Sequence, residues 1–357
     1  MTKFSPLMMS RSLRLLKHLY RDFVYTTKRK RNIEKIKLVA VARNEAAYLP
    51  EWIFHHLYFG FCEIDIYFNQ CSDNTEELIP LLKGLPVNFY NADEAFERPS
   101  NSPQIEIYKK SLASSGKDCD AVMFLDIDEF WVPVDLDDSI IKVCNSLPKF
   151  DTLSFQWKNK VEKQTEFSRA LESTICVELK EQVKTLVRSH LKIAKMNPHN
   201  CLDDDLLQRF ADGSLFESKG SERSRTCIRE SNERAFILHR MNRSEREYIA
   251  MLIRGRPIGD KATSVFKNNR TGFLPPDKTQ RVAQNKVKYQ KYDYYMRKRL
   301  ESVSMQQFLS VAREHVLLRY TACLKAISHA NSKDKVLLKR LLKGVTLSEV
   351  QQILSED

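Results

Sequence analysis

The segment that most constrains the fold is residues 121–131 (AVMFLDIDEFW), where five consecutive apolar residues are followed by three carboxylates within four positions. A short apolar run rich in Val, Phe and Leu predicts a strand buried on both faces, as in the interior of a parallel sheet. Because buried acidic side chains are costly, Asp126, Asp128 and Glu129 are expected at the carboxyl end of that strand. Ligands bind at that edge in open α/β sheets. Neighbouring carboxylates repel each other, so a divalent cation with oxygen ligands is the expected partner.

Predicted strands and helices alternate three times in the first 130 residues. Parallel strands that are joined by helices form a doubly wound sheet. The chain is therefore predicted to be an α/β protein with a mostly parallel sheet and added terminal helices. The predicted strands are 36–42, 64–68, 87–90 and 121–128, and the predicted helices are 52–59, 75–83 and 104–114.

The basic residues are concentrated at the two ends of the chain. The net charge of +12 divides into +9 for residues 1–37, −6 for residues 38–277 and +9 for residues 278–357. A nucleic-acid groove through the main domain would make the centre basic, so binding of nucleic acid is not predicted. Basic ends fit an anionic surface, with membrane lipid as the leading candidate. The predicted parts are an N-terminal arm at 1–35, the main domain at 36–257 and a basic helical C-terminal region at 258–357.

The N-terminal arm contains a basic amphipathic pattern. Over residues 11–24, apolar side chains share one broad helical face and basic side chains share the other, and the run 28–31 (KRKR) follows. This pattern is typical of a helix on the surface of an anionic membrane. A helix that packs on the main domain and keeps its basic face in solvent explains the pattern equally well.

Cysteine usage and hydropathy bear on the compartment. The eight cysteines are scattered, with no CxxC pair and no close Cys/His cluster, so neither a zinc module nor a disulfide scaffold is predicted. Cysteines in apolar surroundings favour a reducing compartment. No run of 18 apolar residues predicts a transmembrane helix, and the N-terminus lacks the apolar core of a signal peptide. The expected location is the cytoplasm, with peripheral attachment to the inner face of the membrane through the basic ends.

Three polar segments follow predicted strands at one edge of the sheet. They are residues 41–45 (VARNE), 69–75 (NQCSDNT) and 126–130 (DIDEF). Together they resemble a family 2-type glycosyltransferase of the GT-A fold, the nucleotide-diphospho-sugar transferase fold, and more narrowly the branch near glycosyltransferase family 92. Members of that branch share an RNE first loop and a D-x-D-E-F motif. They also tend to carry a later Lys, a His-Asn turn and a His before a Ser/Glu-rich helix, which Lys184, His199-Asn200 and His239 with Ser244-Glu245 match in order.

The resemblance covers about residues 37–256 and implies metal-assisted transfer of a sugar from a nucleotide-sugar donor. Mn²⁺ or Mg²⁺ stabilises the charge that develops on a departing diphosphate, and oxygen ligands suit both ions. By resemblance, Asp128 is the main metal ligand, Asp126 reaches the ribose or the metal through water, and His239 completes the metal sphere. Asp73 has an alternative role as the cap of the next helix, and Arg240 adds a candidate phosphate clamp. The residues implied in binding the nucleotide-sugar are Ala42, Arg43, Asn44, Glu45, Asn69, Asp73, Asp126, Lys184 and His199.

An inverting transfer needs a carboxylate base that removes the proton of the acceptor hydroxyl. Asp203, Asp204 and Asp205 lie downstream at a distance suited to the acceptor side of such a fold, and Glu129 competes because it adjoins the metal motif. The alternative for the Asp triplet is a solvated loop or a helix N-terminus. The expected acceptor is a saccharide, either a cell-surface polysaccharide such as lipopolysaccharide or a lipid-linked glycan.

Two other classes of function remain open at this point. A nucleotidyltransferase or phosphotransferase could use the same acidic edge, although no Walker-type or GxGxxG loop supports it. A non-catalytic protein could bind membranes through its basic ends. The first would release pyrophosphate or phosphate, and the second would bind no nucleoside diphosphate in the presence of Mn²⁺.

Overall fold

The computed structural model describes residues 32–98, 102–116, 118–162, 164–218, 224–226, 233–253, 264–273, 276 and 278–355. The amphipathic pattern at residues 11–24 and the basic run at 28–31 lie outside the described residues. The helix predicted there, and its attachment to a membrane, remain predictions. Within the described part of the chain, no helix is long and apolar enough to cross a bilayer.

Ten strands of the described chain form one sheet. Its order is β3-β2-β1-β4-β7-β6-β9-β5, with β10 beside β7 and β8 beside β6. The first four strands in this order are parallel, while β7 runs antiparallel to both β4 and β6. The strands are β1 (Ile36–Ala42), β2 (Glu63–Phe68), β3 (Val87–Asn91), β4 (Ala121–Phe124), β5 (Glu129–Pro133), β6 (Thr152–Lys160), β7 (Thr174–Arg188), β8 (Gln208–Phe210), β9 (Ala235–His239) and β10 (Gln280–Ala283).

Helices cover both faces of the sheet, which confirms the predicted α/β, doubly wound fold class. Along β1, Leu38 packs into the core on one face and Val39 into the core on the other. The helices are α1 (Leu49–Tyr58), α2 (Leu78–Leu81, after a 3₁₀ turn at Thr75–Glu77), α3 (Asp93–Glu97), α4 (Pro103–Ser115), α5 (Ile140–Ser146), α6 (Glu245–Leu252), α7 (Lys286–Leu300), α8 (Val303–Ser328), α9 (Ser332–Leu341) and α10 (Ser348–Ser355).

The acidic segment forms a turn between two strands. The predicted strand at 121–128 is shorter in the structure, because β4 ends at Phe124 and β5 begins at Glu129. The chain leaves β4 in the middle of the sheet and joins the far edge, where β5 pairs with β9. Asp126 and Asp128 therefore lie at the carboxyl end of β4 as predicted, whereas Glu129 belongs to a strand and is fully buried.

Helix α1 supplies the hydrogen bonds that the outer edge of β5 would otherwise lack. His56 Nε2 accepts from the backbone N–H of Trp131 at 3.2 Å, and His55 Nε2 donates to the Trp131 carbonyl at 2.9 Å. Trp52 Nε1 donates to the Glu129 carbonyl at 2.8 Å and also reaches the Asp126 carbonyl at 3.1 Å. Backbone polar groups need a partner when buried, so three side chains of one helix take the place of a further strand.

The C-terminal helices share the core of the main domain. Tyr292 of α7 is fully buried and its hydroxyl bonds to His55 Nδ1 at 3.0 Å. The Tyr248 hydroxyl of α6 donates to the carbonyl of Leu341 in α9 at 2.7 Å. Buried side chains from α7 to α10 belong to the same apolar cluster as Leu38. The described residues after 257 contain the strand β10 and the helices α7 to α10, which pack on the sheet-bearing part of the chain.

Candidate functional site

Asn44 joins the loops that follow β1 and β2. Its side-chain oxygen accepts from the backbone N–H of Ser72 at 2.7 Å and of Asp73 at 3.3 Å. Its φ of 54° lies in the left-handed region, which Asn tolerates better than most residues. The predicted meeting of segments 43–45 and 69–75 at one edge of the sheet is therefore present, and Asn44 is the residue that fixes it.

Asp73 also connects these two loops. One carboxylate oxygen accepts from the backbone N–H of Ala46 at 2.9 Å, and the other accepts from the N–H of Thr75 at 3.2 Å and from its hydroxyl at 2.5 Å. Side-chain acceptors of this kind cap the start of a helical turn. The N-cap residue itself is Asn74, so Asp73 supports the start of the turn from one residue earlier instead of capping it as considered. Its contact with a nucleotide remains a prediction.

The other residues implied in nucleotide binding line the same loops. Asn69 is buried and donates through its backbone and side chain to the carbonyl of Ala42, at 3.0 and 3.2 Å. Glu45 is buried and forms an ion pair with Arg243 at 3.2 Å. Asn69 and Glu45 therefore shape these loops in this structure, and the side chain of Arg43, two residues before Glu45, is half-buried.

Asp126 is held at the mouth of the site by two side chains. Lys184 of β7 contacts one carboxylate oxygen at 2.9 Å, and Gln104 of α4 donates to the other at 3.0 Å. The Asp126 side chain keeps 40% of its surface exposed, whereas Lys184 is fully buried. Burial alone would lower the pKa of Lys184, but Asp126 and Glu129 raise it above its usual value. Lys184 is therefore a fixed positive charge beneath Asp126.

Glu129 lies beneath the acidic turn and faces into the protein. One oxygen contacts Lys184 at 3.0 Å and accepts from the backbone N–H of Asp126 at 2.9 Å. Its other oxygen is buried without a hydrogen-bond partner in the described residues. Burial, together with Asp126 and Asp128, raises the pKa of Glu129 well above its usual value. A fully buried carboxyl group cannot meet an acceptor hydroxyl, so the structure places Glu129 as a support of the turn and not at the acceptor.

Asp128, in the turn between β4 and β5, faces His239, the last residue of β9. His239 Nδ1 lies 3.0 Å from Asn159 Oδ1, which can only accept, so Nδ1 carries a proton, and in the neutral form of the ring the lone pair is on Nε2. Nε2 is 3.6 Å from Asp128 Oδ2, which is too far for a good hydrogen bond. Burial would raise the pKa of Asp128, but His239, Arg243 and Arg270 together lower it below its usual range.

An ionised carboxylate beside an imidazole lone pair suits a divalent cation. Mg²⁺ and Mn²⁺ are commonly bound by few protein groups, the remaining positions going to substrate phosphates and water. The pair Asp128 and His239 fits that description. The described residues contain no group of three His, Cys, Asp or Glu side chains able to hold a metal, so a contribution from Asp126 remains a prediction. Buried Lys184 holds the carboxylate of Asp126.

His199 lies on the same side of the sheet as His239. Its Nδ1 bonds to the carbonyl of Val183 at 3.1 Å, and the Trp157 ring lies 5.3 Å from the His199 ring and 4.1 Å from the His239 ring. Burial, with a further contribution from Lys184, lowers the pKa of His199 to about 4. His199 is therefore neutral at pH 7 and can offer a hydrogen bond without a charge.

The Asp triplet lies in a turn before β8. Asp203 accepts from the backbone N–H of Lys195 at 3.1 Å, and Asp204 and Asp205 are exposed. The role of Asp203 or Asp204 as base remains a prediction.

Arg240 does not form the phosphate clamp suggested by its position in the chain. Its guanidinium is buried, donates twice to Gln164 Oε1 at 3.0 and 2.8 Å, and lies 3.5 Å from Glu51. Its backbone N–H bonds to the carbonyl of Asp128 at 2.8 Å. Arg240 therefore supports the turn from behind.

Sequence reasoning missed three residues that orient the site. Gln104 holds Asp126, Asn159 sets the tautomer of His239, and Arg243 pairs with Glu45 while its guanidinium lies 3.4 Å from the centre of the Tyr48 ring. Each is at least 22 residues from its partner in the chain, and none belongs to a local motif. Only the strand order reveals these contacts.

No protein-family model and no curated protein matches the chain. Among solved structures, it is similar to a glucosyl-3-phosphoglycerate synthase from Mycobacterium tuberculosis in complex with Mn²⁺, UDP and glucosyl-3-phosphoglycerate, at 23% identity over 27% of this chain and 34% of that chain, with a TM-score of 0.20. It is also similar to HddC from Yersinia pseudotuberculosis, at 7% identity, 46% and 82% coverage, and a TM-score of 0.28. A third likeness is a 4-diphosphocytidyl-2C-methyl-D-erythritol synthase from Anaerococcus prevotii, at 11% identity, 44% and 70% coverage, and a TM-score of 0.27.

The chain spans about a third of the length of the first of these structures. Likenesses at such TM-scores carry no argument about activity. The description of the fold therefore rests on the strand order and the packing of the molecule itself.

Proposed function

We propose that the protein is a metal-dependent glycosyltransferase that moves a sugar from a nucleotide-sugar donor to a hydroxyl group of a saccharide acceptor, with inversion at the sugar carbon. The observation that carries the proposal is the pair formed by Asp128 and His239. Oδ2 of Asp128 and Nε2 of His239 lie 3.6 Å apart. The pair lies at the carboxyl end of the parallel strands, where the loops after β1 and β2 also meet. That edge is where nucleotides bind in doubly wound folds.

Bound Mn²⁺ or Mg²⁺ would act there as a Lewis acid that offsets negative charge on a departing diphosphate. Asp128 and His239 would hold the ion, and Asn159 keeps the His239 lone pair directed at it. Supporting groups of this kind fix the orientation of a ligating imidazole. Lys184 and Gln104 hold the partly exposed carboxylate of Asp126 in one position, which suits a hydrogen bond to a ribose hydroxyl.

The acceptor side of the proposed site needs a catalytic base. An inverting transfer needs a base near the acceptor hydroxyl, and Glu129 is too deeply buried to supply it. Asp203 and Asp204 are therefore the proposed candidates. The proposed acceptor is a surface polysaccharide or lipid-linked glycan, with the basic N-terminal arm at an anionic membrane surface on the cytoplasmic side.

The decisive variant is Asp128→Asn, which keeps the size of the side chain and removes its charge. The melting temperature is measured with Mn²⁺ and each of a panel of nucleotide sugars. The sugar that serves as donor should raise it, because a ligand that binds the folded state stabilises that state. In Asp128→Asn we expect the Mn²⁺-dependent part of that shift to disappear and donor hydrolysis or transfer to fall by at least about 100-fold.

The matched control is Asp118→Asn, which removes the same charge from an exposed position close to the start of β4. It should keep both the shift and the activity. Full activity in Asp128→Asn would overturn the metal assignment. Release of pyrophosphate from a nucleoside triphosphate, without transfer from any nucleotide sugar, would instead establish a nucleotidyltransferase.

A further inference from the structure

Helix α8, which lies outside the region of family resemblance, reaches the edge of the sheet where the β1 and β2 loops meet. The Nε2 atom of His315 lies 3.4 Å from the hydroxyl of Ser72, and Asn74 donates to the carbonyl of Phe308 at 3.2 Å. The Arg313 guanidinium lies 5.4 Å from the centre of the Phe167 ring. Part of the basic C-terminal region is therefore built into the candidate site.

The cationic side chains of α8 that point to this edge are incompletely satisfied. Within the described chain, four of their buried nitrogen atoms have no hydrogen-bond partner: Nε of Arg313, Nδ1 of His315, and Nε and Nη1 of Arg319. Buried donors without a partner are rare in native proteins, and each carries a desolvation cost. Two arginines with such donors on a single helix indicate a ligand with acceptor oxygens.

The charge around these donors is unbalanced. Burial, followed by repulsion from Arg243, lowers the pKa of Arg319, while Tyr48 and Asp73 oppose that change. Asp73 is the carboxylate that acts on both His315 and Arg319. Its oxygens accept from Ala46 and Thr75, and Nε and Nη1 of Arg319 form no hydrogen bond with it in the described residues.

Arg243 connects this group to the metal edge. Its guanidinium pairs with Glu45 at 3.2 Å, and its positive charge also acts on Asp128. A ligand that contacted Arg243 and Arg319 would therefore lie next to the proposed cation site. Arginine is well suited to such a contact because its planar donors match phosphate oxygens.

We propose that Arg313, His315 and Arg319 of α8, together with Arg243, form an anion subsite that binds a phosphate group at the edge defined by the β1 and β2 loops. The chemistry is that of a phosphate or diphosphate ester, carried by a nucleotide or by a phosphorylated acceptor. The subsite adds a phosphate-binding region to the proposed active site. It rests on the proposed function only for the identity of the molecule that carries the phosphate. The C-terminal region then completes the binding site and is more than a basic surface.

The test is binding of inorganic pyrophosphate to the full-length protein by calorimetry, in EDTA so that no divalent cation takes part. We expect Arg313→Gln/Arg319→Gln to weaken binding by at least about tenfold, since hydrogen bonds between arginine and an anion are charge-assisted and stronger than neutral ones. The matched control is Lys325→Gln/Lys333→Gln, which removes two charges from exposed positions of α8 and α9. Its affinity should stay within about twofold of the unmodified protein.

Two further ligands identify the source of the phosphate. Nucleoside diphosphates report on the donor, and glycerol 3-phosphate stands in for a phosphorylated acceptor. If Arg313→Gln/Arg319→Gln loses affinity for only one of these two ligands, the result supports the subsite and identifies the kind of molecule that carries the phosphate. Equal affinities in that variant and in the control, or no binding of pyrophosphate to the unmodified protein, would overturn it.

Thermal unfolding separates this role from a structural one. Replacing buried donors that lack partners should leave the melting temperature unchanged or raise it, whereas a clear decrease would indicate that the arginines support the fold. Asp128→Asn should still bind pyrophosphate in EDTA. The proposed function and the anion subsite can therefore fail independently.

Discussion

At the scale of single residues, Lys184 is the charge on which the acidic turn depends. It is buried between Asp126 and Glu129, at 2.9 and 3.0 Å. Removing one partner of a buried ion pair leaves the other charge without compensation, which costs about 3–5 kcal/mol. The three side chains therefore form one unit, in which the stability of the turn and the position of Asp126 depend on the same ammonium group.

Lys184→Met is expected to reduce the free energy of unfolding by about 3 kcal/mol or more at pH 8. The loss should be smaller at pH 5. The pKa of Glu129 is raised in the folded protein, so a carboxyl group without Lys184 takes up a proton as the pH falls and the penalty for its charge disappears. Urea unfolding at the two pH values measures both effects.

Two controls accompany this variant. Adding Glu129→Gln to Lys184→Met should restore part of the lost stability, because the uncompensated charge is gone. Lys180→Met, in a half-exposed pair on the same strand, should cost less than about 1 kcal/mol. Equal losses at Lys184 and Lys180, or no difference between pH 5 and pH 8, would contradict the account of the buried pair.

At the scale of secondary-structure elements, the junction of α1 and β5 depends on two histidines that are neutral when folded. Burial lowers the pKa of His55 to about 4, although its bond to the Trp131 carbonyl acts in the opposite direction. Burial also lowers the pKa of His56 well below its usual value. Both histidines must therefore remain unprotonated for the bonds to β5 to persist.

Stability should consequently fall as the pH drops from about 6.5 towards 4. Above pH 6.5 both states are neutral at His55, and below it the unfolded chain takes up the proton first. The difference between 6.5 and about 4 corresponds to about 3 kcal/mol for His55 once the pH is below both values. Urea midpoints at pH 7, 5.5 and 4.5 would show it.

The comparison for this prediction is between a buried and an exposed histidine. His55→Gln should be less stable at pH 7, because it loses packing and a bond, and should show a shallower dependence on pH. Replacing exposed His329 by Asn should leave the dependence unchanged. An identical dependence in His55→Gln and the unmodified protein would contradict the proposed cause.

Local patterns predicted the elements better than the contacts between them. The apolar run before Asp126 correctly predicts a strand buried on both faces with carboxylates at its end. Ser244 and Glu247, which have the Ser-x-x-Glu spacing, form a capping box at α6. By contrast, Glu129 appears from the sequence to be a third member of the acidic group. It turns inwards because the chain resumes as a strand one residue after Asp128, which no local pattern reveals.

The candidate site shows the same limit. Asp128 and His239 are recognisable because each lies at the end of an apolar strand, whereas Asn159 and Gln104 have no motif of their own. The role of α8 was missed for a related reason. The sequence shows only that its basic side chains add to the net charge of a terminal region. It does not show which of them are buried against the loop after β2.

At the scale of the whole molecule, the C-terminal helices are part of the main core. Helix α8 buries Met305, Phe308, Leu309, Ala312, Val316, Tyr320, Cys323 and Ile327. Burying a large apolar side chain contributes about 1.5–3 kcal/mol, so these residues together contribute on the order of 10 kcal/mol. That is comparable to the entire net stability of a typical protein.

A truncated protein that ends at residue 301 is therefore expected to lose cooperative unfolding and to bind a hydrophobic dye such as ANS. The sheet-bearing part would expose the surface that α8 covers. Removal of only residues 348–357, with α10, should lower the melting temperature by a few degrees, since Val350 is its only fully buried residue among those described. A stable, cooperative protein ending at 301 would show that the C-terminal region is a separate domain.

The outer edge of β5 has a further consequence for the behaviour of the molecule in a crowded solution. A sheet edge with unused donors and acceptors is a template on which strands of other chains can pair, and such pairing leads to aggregation. Here Trp52, His55 and His56 occupy those groups, and Pro133 at the end of the strand has no N–H to offer. Within the part of the chain that the structure describes, side chains of α1 close this border of the sheet to pairing with other chains.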